Sequence, residues 1–133
     1  MKRILVAYDG GEPAKRALET AIELTTAFGA SLSVVSVVPV HQGRAPIDPW
    51  DNRPVHDQQL AEARDYLASR GVVAEVIEPA GDPAEAIERV AGQGGFDTII
   101  LGSRGLGAVS RFLQGSVSEH VATHANATVI VAR

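Results

Sequence analysis

The chain has no cysteine. That excludes disulfides and thiolate metal sites, and it fits a reducing compartment. Aromatic side chains are scarce, at 5% of residues with a single tryptophan. The interior must therefore be built from Val, Ile, Leu and Ala, and an apolar content of 45% is enough to build one. No run of Lys and Arg occurs and the formal charge is -4. Nucleic-acid binding relies on clustered basic residues, so no nucleic-acid partner is expected. No stretch approaches the ~18 consecutive apolar residues of a membrane span. Met1-Lys2-Arg3 before Ile4 to Tyr8 opens like a secretory signal. Asp9 ends that apolar run well short of the ~7–15 residues such a segment needs. The expectation is a cytoplasmic protein with no membrane partner.

Several catalytic signatures are missing as well. There is no Gly-x-x-x-x-Gly-Lys-Ser/Thr loop and no Gly-x-Ser-x-Gly elbow. No nucleophile is paired with a base. No catalytic residue is assigned.

What is present suits one domain spanning residues 1–133. Ile4-Leu5-Val6-Ala7-Tyr8 is a near-continuous apolar run, the pattern of a strand buried on both faces of a parallel sheet. Asp9-Gly10-Gly11 breaks it, and Pro13 suits a first helical turn. Ala14, Ala17, Leu18, Ala21, Leu24, Thr25 and Phe28 then recur at helical spacing, with Gly29 as the stop. Residues 31–38 read as a second, valine-rich strand. Residues 39–55 hold four prolines and Trp50 without periodicity, and read as an irregular excursion or a lid.

A helix is expected to resume near His56 or Asp57, with Leu60, Ala63 and Leu67 inward and Gly71 as its stop. A third strand is expected over residues 72–77. Asp82-Pro83-Ala84-Glu85 is a strong helix start, with Asp82 as cap and Glu85 placed to reach back. Ala86, Ile87, Val90 and Ala91 should face inward, and Gly92, Gly94 and Gly95 should end that helix. A fourth strand follows over residues 97–101, then a glycine stretch, a helix over 116–124 and a last strand over 127–132. Strands alternating with helices imply an α/β fold with parallel βαβ units and helices on both faces of an open sheet.

The chemistry is expected at the glycine stretch. Gly102-Ser103-Arg104-Gly105 follows a buried strand directly, and Gly115-Ser116 opens a helix. Glycines let the backbone approach a ligand, and successive N–H groups form an anion nest. A helix start adds free donors and a favourable dipole. Such a loop can equally be an ordinary strand-to-helix connection. Asp9 has two readings: an acceptor for a ribose hydroxyl or ligand of a phosphate-bound Mg²⁺, and a turn residue before two glycines. Ser116-Val117-Ser118-Glu119 also reads as a capping box. His120 and His124 lie four apart and could share a metal, but no third ligand is evident nearby, so two surface histidines is the better reading.

On these residues the chain resembles the universal stress protein (UspA-type) family, ATP-binding branch, over nearly its whole length. Residues 4–10, Gly81-Asp82-Pro83-Ala84, Gly102-Ser103-Arg104-Gly105 and Gly115-Ser116-Val117-Ser118 carry the resemblance. It implies a single-domain parallel five-stranded sheet of order 3-2-1-4-5, adenine-nucleotide alpha hydrolase-like, with ATP or a related adenine nucleotide as ligand. By motif position, Ala7, Tyr8, Asp9 and Val37 would surround adenine and ribose. Leu101, Gly102, Ser103, Gly105, Gly115, Ser116, Val117 and Ser118 would line the ribose and phosphates. Mg²⁺ would come with the nucleotide, near Asp9. Two positions depart from the pattern. Gly11 stands where relatives often have Ser or Thr, and Thr128 where they often have proline. The expected function is a cytoplasmic stress-response module with slow ATP hydrolysis at most. The alternatives are a weak metal-dependent ATPase and a nucleotide-free dimerisation module. The apolar last strand, lying at the sheet edge in that order, further implies a homodimer through residues 127–132.

Overall fold

The computed structural model describes residues 1–38, 53–102 and 116–133. Its elements in chain order are β1 (Arg3–Ala7), α1 (Glu12–Phe28), β2 (Ser31–Val35), α2 (Arg53–Ser69), β3 (Ala74–Ile77), α3 (Pro83–Gly94), β4 (Thr98–Gly102), α4 (Ser116–His124) and β5 (Thr128–Ala132). The strands form one parallel sheet of order β3-β2-β1-β4-β5, as the family resemblance implies.

The alternation of side chains along β1 sorts the helices into two layers. Ile4 and Val6 point to the face covered by α1 and α2, where they meet Leu18, Ile22 and Leu67. Leu5 points to the opposite face and joins Ile87, Ile99 and Val121 beneath α3 and α4. Ile4, Leu5 and Val6 are all 0% exposed, so β1 has no wet side. Burying one such side chain stabilises a fold by roughly 1.5–3 kcal/mol.

Glycine stops end three helices where the sequence places them. Gly29 (φ 67°) caps α1, its N–H donating to the Thr25 carbonyl, and Gly95 (φ 67°) caps α3. Gly71 (φ 72°) follows α2. Asp82 accepts from the Glu85 N–H at 3.1 Å, which satisfies one free donor at the start of α3.

Five details differ from the sequence reading. The excursion predicted over 39–55 is too long at its end, because α2 begins at Arg53 with Pro54 in its first turn. Residues 39–52 lie outside the described residues. Phe28, expected inward, is 60% exposed, whereas Ile22 is buried. Phe28 sits in the last turn of α1, past the sheet's reach. Helix α3 runs through Gly92 to Gly94. Regular pairing of β2 ends at Val35, after which Ser36 and Val38 donate to the carbonyls of Ile77 and Pro79. Strand β3 starts at Ala74, two residues later than expected.

Two contacts pin the sheet at opposite ends. At the amino ends of the strands, Asp97 Oδ2 accepts from the N–H groups of Lys2 (2.8 Å) and Arg3 (3.1 Å). Its Oδ1 accepts from the Thr98 hydroxyl at 2.8 Å. Its backbone donates to the Arg3 carbonyl and accepts from the Thr128 N–H. One residue thus ties the starts of β1, β4 and β5. The Lys2 N–H, the Thr98 hydroxyl and the Arg3 N–H hold its carboxyl below the ordinary carboxylate range, aided by the charged N-terminus. At the carboxyl ends, the start of α1 lies against β4. A Cβ on Gly102 would stand 2.6 Å from the Pro13 carbonyl carbon and 2.7 Å from its oxygen. No real contact is that short, so this position admits glycine alone unless α1 moves.

Two outcomes follow from these contacts. Asp97→Asn should destabilise the protein by about 1 kcal/mol at pH 7, a modest amount because the carboxylate is exposed to water. A group depressed in the folded state gives its full stabilisation above its unfolded value of about 3.9 and loses it as pH falls through the folded value. Urea denaturation should therefore show the wild-type advantage at pH 7 and its disappearance in that acidic window. A variant equally stable at pH 7 would remove Asp97 from this role. Gly102→Ala should cost about 1–3 kcal/mol through overpacking against Pro13. Thermal unfolding at the wild-type temperature would show that the α1 start is free to yield.

Candidate functional site

In a sheet of this order, chain connections leave β1 and β4 in opposite directions, and a crevice opens beyond their carboxyl ends. The β1 side of this crevice is built from a tight turn. Tyr8 N–H still donates to the Val35 carbonyl at 2.9 Å, which carries the ladder one residue past β1. Asp9 then accepts on Oδ1 from the Gly11 N–H at 2.9 Å. This Asx turn, with Gly10 at φ 85°, reverses the chain into α1. The turn reading of Asp9 therefore holds in the structure. Its second carboxylate oxygen and its exposed position leave it able to meet a ligand as well.

Tyr8 is placed differently from what its position in the motif suggests. Its ring is 4% exposed and belongs to the core under α1 and α2, so only its backbone reaches the crevice. Burial raises the phenol above its ordinary value, and the charges of Glu62, Asp9 and Glu12 raise it further. The phenol stays protonated at neutral pH. Asp9 and Glu12, at the turn into α1, give this half of the crevice its negative charge. Lys15 reaches Glu12 only at 3.7 Å on the surface, which offsets little of it.

The other half is apolar and faces α3 and α4. Ala7 and Val37 are partly buried and pack against the cluster that contains Leu101, as does Val117 from the first turn of α4. Leu101 itself is 3% exposed, so its side chain is core and its backbone is what the crevice sees. Gly102 ends β4 beside it, under Pro13. Helix α4 starts at Ser116, as expected. The sequence-predicted Ala7, Tyr8, Asp9, Val37, Leu101, Gly102, Ser116, Val117 and Ser118 are thus described at least in backbone. Ser103, Gly105 and Gly115 lie outside the described residues, and so does the capping role of the Ser116 side chain.

The glycines at the described edge have reasons of their own. A Cβ on Gly10 would meet the Gln59 side chain at 2.8 Å, and one on Gly102 would meet Pro13. These two glycines satisfy the packing of α2 and α1. They leave bare backbone at the crevice as a consequence. The residues described here fit an adenine nucleotide in kind. They offer half-buried apolar side chains for a base, an exposed carboxylate for a hydroxyl or a cation, and a helix start for an anion.

A second group uses none of these crevice residues, and sequence reasoning, which raised His120 and His124 as a pair, missed its third member, Glu88. Glu88 on α3 comes to 2.7 Å from His120 Nδ1 on α4, beside His124. Glu88 is 32 residues from His120 in the chain. Only the packing of α3 on α4 brings them together, and helical spacing on α4 alone could not reveal it.

The universal stress protein family model matches residues 1–133. A universal stress protein of Thermus aquaticus is 37% identical over 136 residues, covering 99% of this chain and 98% of that protein. Among solved structures, the universal stress protein UspA from Lactobacillus plantarum is 28% identical with a TM-score of 0.77, covering 99% of this chain and 97% of that one. The universal stress protein from Archaeoglobus fulgidus in complex with dAMP is 26% identical with a TM-score of 0.76, covering 100% of this chain and 98% of that one. With the strand order, the Asx turn after β1 and the glycine signature after β4 already in place, these matches assign the chain to the universal stress protein family.

Proposed function

We propose that this chain binds ATP, with Mg²⁺, in the crevice beyond β1 and β4 and works as a cytoplasmic stress-response or signalling module. The carrying observation is the two-sided crevice. Ala7, Val37 and Val117 offer an apolar half under the first turn of α4, opposite an acidic half at Asp9 and Glu12. Adenine fits the apolar half. Phosphates are repelled by these two carboxylates and attracted by the free N–H groups and dipole at the start of α4. The relative solved with dAMP supports an adenine nucleotide as the ligand class. A cation near Asp9 would let the phosphate tail approach the acidic side. We assign no general base, and hydrolysis is slow at most.

Binding is tested with two substitutions that separate the halves. Gly105→Val should weaken ATP by at least tenfold, about 1.4 kcal/mol, by filling the loop expected to hold phosphate. Asp9→Asn keeps an oxygen that can accept from the Gly11 N–H, so the turn survives while the charge is lost. It should lower ATP affinity or remove its dependence on Mg²⁺. Calorimetric titration with and without magnesium measures both. Wild-type affinities in both folded variants would overturn this site, and a wild type that binds no adenine nucleotide would leave the nucleotide-free module standing.

We also propose a homodimer through β5, the strand at one end of the sheet. Thr128 N–H donates inward to the Asp97 carbonyl. N–H directions alternate along a strand, so those of Val129 and Val131 face the open edge. Val131 is 42% exposed there. The edge carries no charge or proline before Arg133 to block pairing. Val129→Pro removes an outward donor and spares the ladder to β4. Sedimentation should give a dimer for wild type and a monomer or weaker dimer for this variant. A wild-type monomer at tens of micromolar, or an unweakened variant dimer, would contradict the assignment.

A further inference from the structure

We propose that Glu88, His120 and His124 form a binding site for a divalent transition metal, with Zn²⁺ as the reference ion, bridging α3 and α4. One ligating atom from each of the three lies within 4.8 Å of the other two. The two imidazole rings stack at 4.2 Å between centroids with their planes 24° apart. Four-residue spacing places them on one face of α4.

The hydrogen bonds already present select the ring nitrogens. His124 Nδ1 lies 2.9 Å from the His120 carbonyl oxygen. A carbonyl can only accept, so this nitrogen carries the proton and Nε2 keeps its lone pair. His120 Nδ1 lies 2.7 Å from Glu88 Oε2, and a carboxylate likewise accepts. An ion that takes Glu88 as a ligand therefore replaces the proton between these two atoms, and His120 binds it through Nδ1. Fixing a ring by a carbonyl on its other nitrogen, as at His124, is how metal-binding histidines are held.

Two imidazoles and one carboxylate suit Zn²⁺ and its neighbours better than Mg²⁺ or Ca²⁺, which prefer oxygen donors. Bonds of about 2.0–2.2 Å put the ligand atoms of a tetrahedral site about 3.3 Å apart. The widest of these separations, at most 4.8 Å, has to close by at most about 1.5 Å, and the 2.7 Å pair has to open. The side chains of His120 (43% exposed) and Glu88 (22% exposed) have room to do so. Three protein ligands leave the remaining position to water. This site uses none of the crevice residues and needs no nucleotide.

The test uses the full chain without an affinity tag, stripped of metal and nucleotide. Titration calorimetry with ZnCl₂ should give one site per chain, with a dissociation constant below about 10 μM, or about 7 kcal/mol. His120→Ala and His124→Ala should each weaken it at least tenfold, and Glu88→Gln should weaken it measurably. His56→Ala, which alters a histidine paired with Glu78 elsewhere, should leave it unchanged. In wild type, substoichiometric Co²⁺ should broaden the ring resonances of His120 and His124 before those of His56, which locates the ion without any substitution. Absence of binding at tens of micromolar Zn²⁺ would overturn the proposal. So would binding that survives both histidine substitutions, or broadening that strikes other residues first.

Discussion

Ile4, Leu5 and Val6 are closed to water on both sides, and two of them face one helical layer while the third faces the other. A strand in that position can only sit mid-sheet. Its neighbours must then supply apolar faces to both layers, as Val34 and Val35 of β2 and Ile99 and Ile100 of β4 do. The helices following β1 and β2 fall on one layer and those following β3 and β4 on the other. The crevice is the seam left between the two directions. It exists because β1 is doubly buried, whatever occupies it.

That seam is chemically lopsided for a geometric reason. The chain leaving β1 turns into α1, whose first turn carries the acidic Glu12 beside Asp9. On the other layer α4 begins at the crevice, so its unpaired N–H groups point there. A ligand with an apolar plate at one end and negative charge at the other has one favourable orientation across such a seam. Two helices starting at one crevice would ordinarily make two anion sites. Here the carboxylates of Asp9 and Glu12 occupy the start of α1, and the Asp9 side chain already takes the Gly11 donor.

Much of this was legible in the residues. Doubly apolar strands, glycine stops at 29, 71 and 95, and the Asp82 cap are local signals, and each acts over one turn of chain. Strand order came from the family signature and matches the structure. What the sequence hid is long-range. Pro13 and Gly102 are far apart in the chain, so the glycine reads as a ligand loop when its first duty is to clear a helix. Tyr8 reads as a crevice residue because it ends a strand, yet alternation turns its ring into the core. Phe28 keeps helical spacing with Ala21 and Leu24, but the sheet ends before reaching it. Glu88 has no sequence neighbour that marks it as a partner for His120.

The two glycines that border the crevice are not under the same restraint, and their histories in related chains should differ accordingly. What blocks a side chain at Gly10 is the amide end of Gln59, a flexible group that a shorter residue at 59 would withdraw. The remaining demand there is a positive φ, which asparagine tolerates. Positions 10 and 59 are thus free to drift as a pair. At Gly102 the obstacle is the backbone of Pro13, which no exchange of side chains removes. One border of the crevice can be renegotiated by compensating changes, and the other stays fixed for as long as α1 begins where it does.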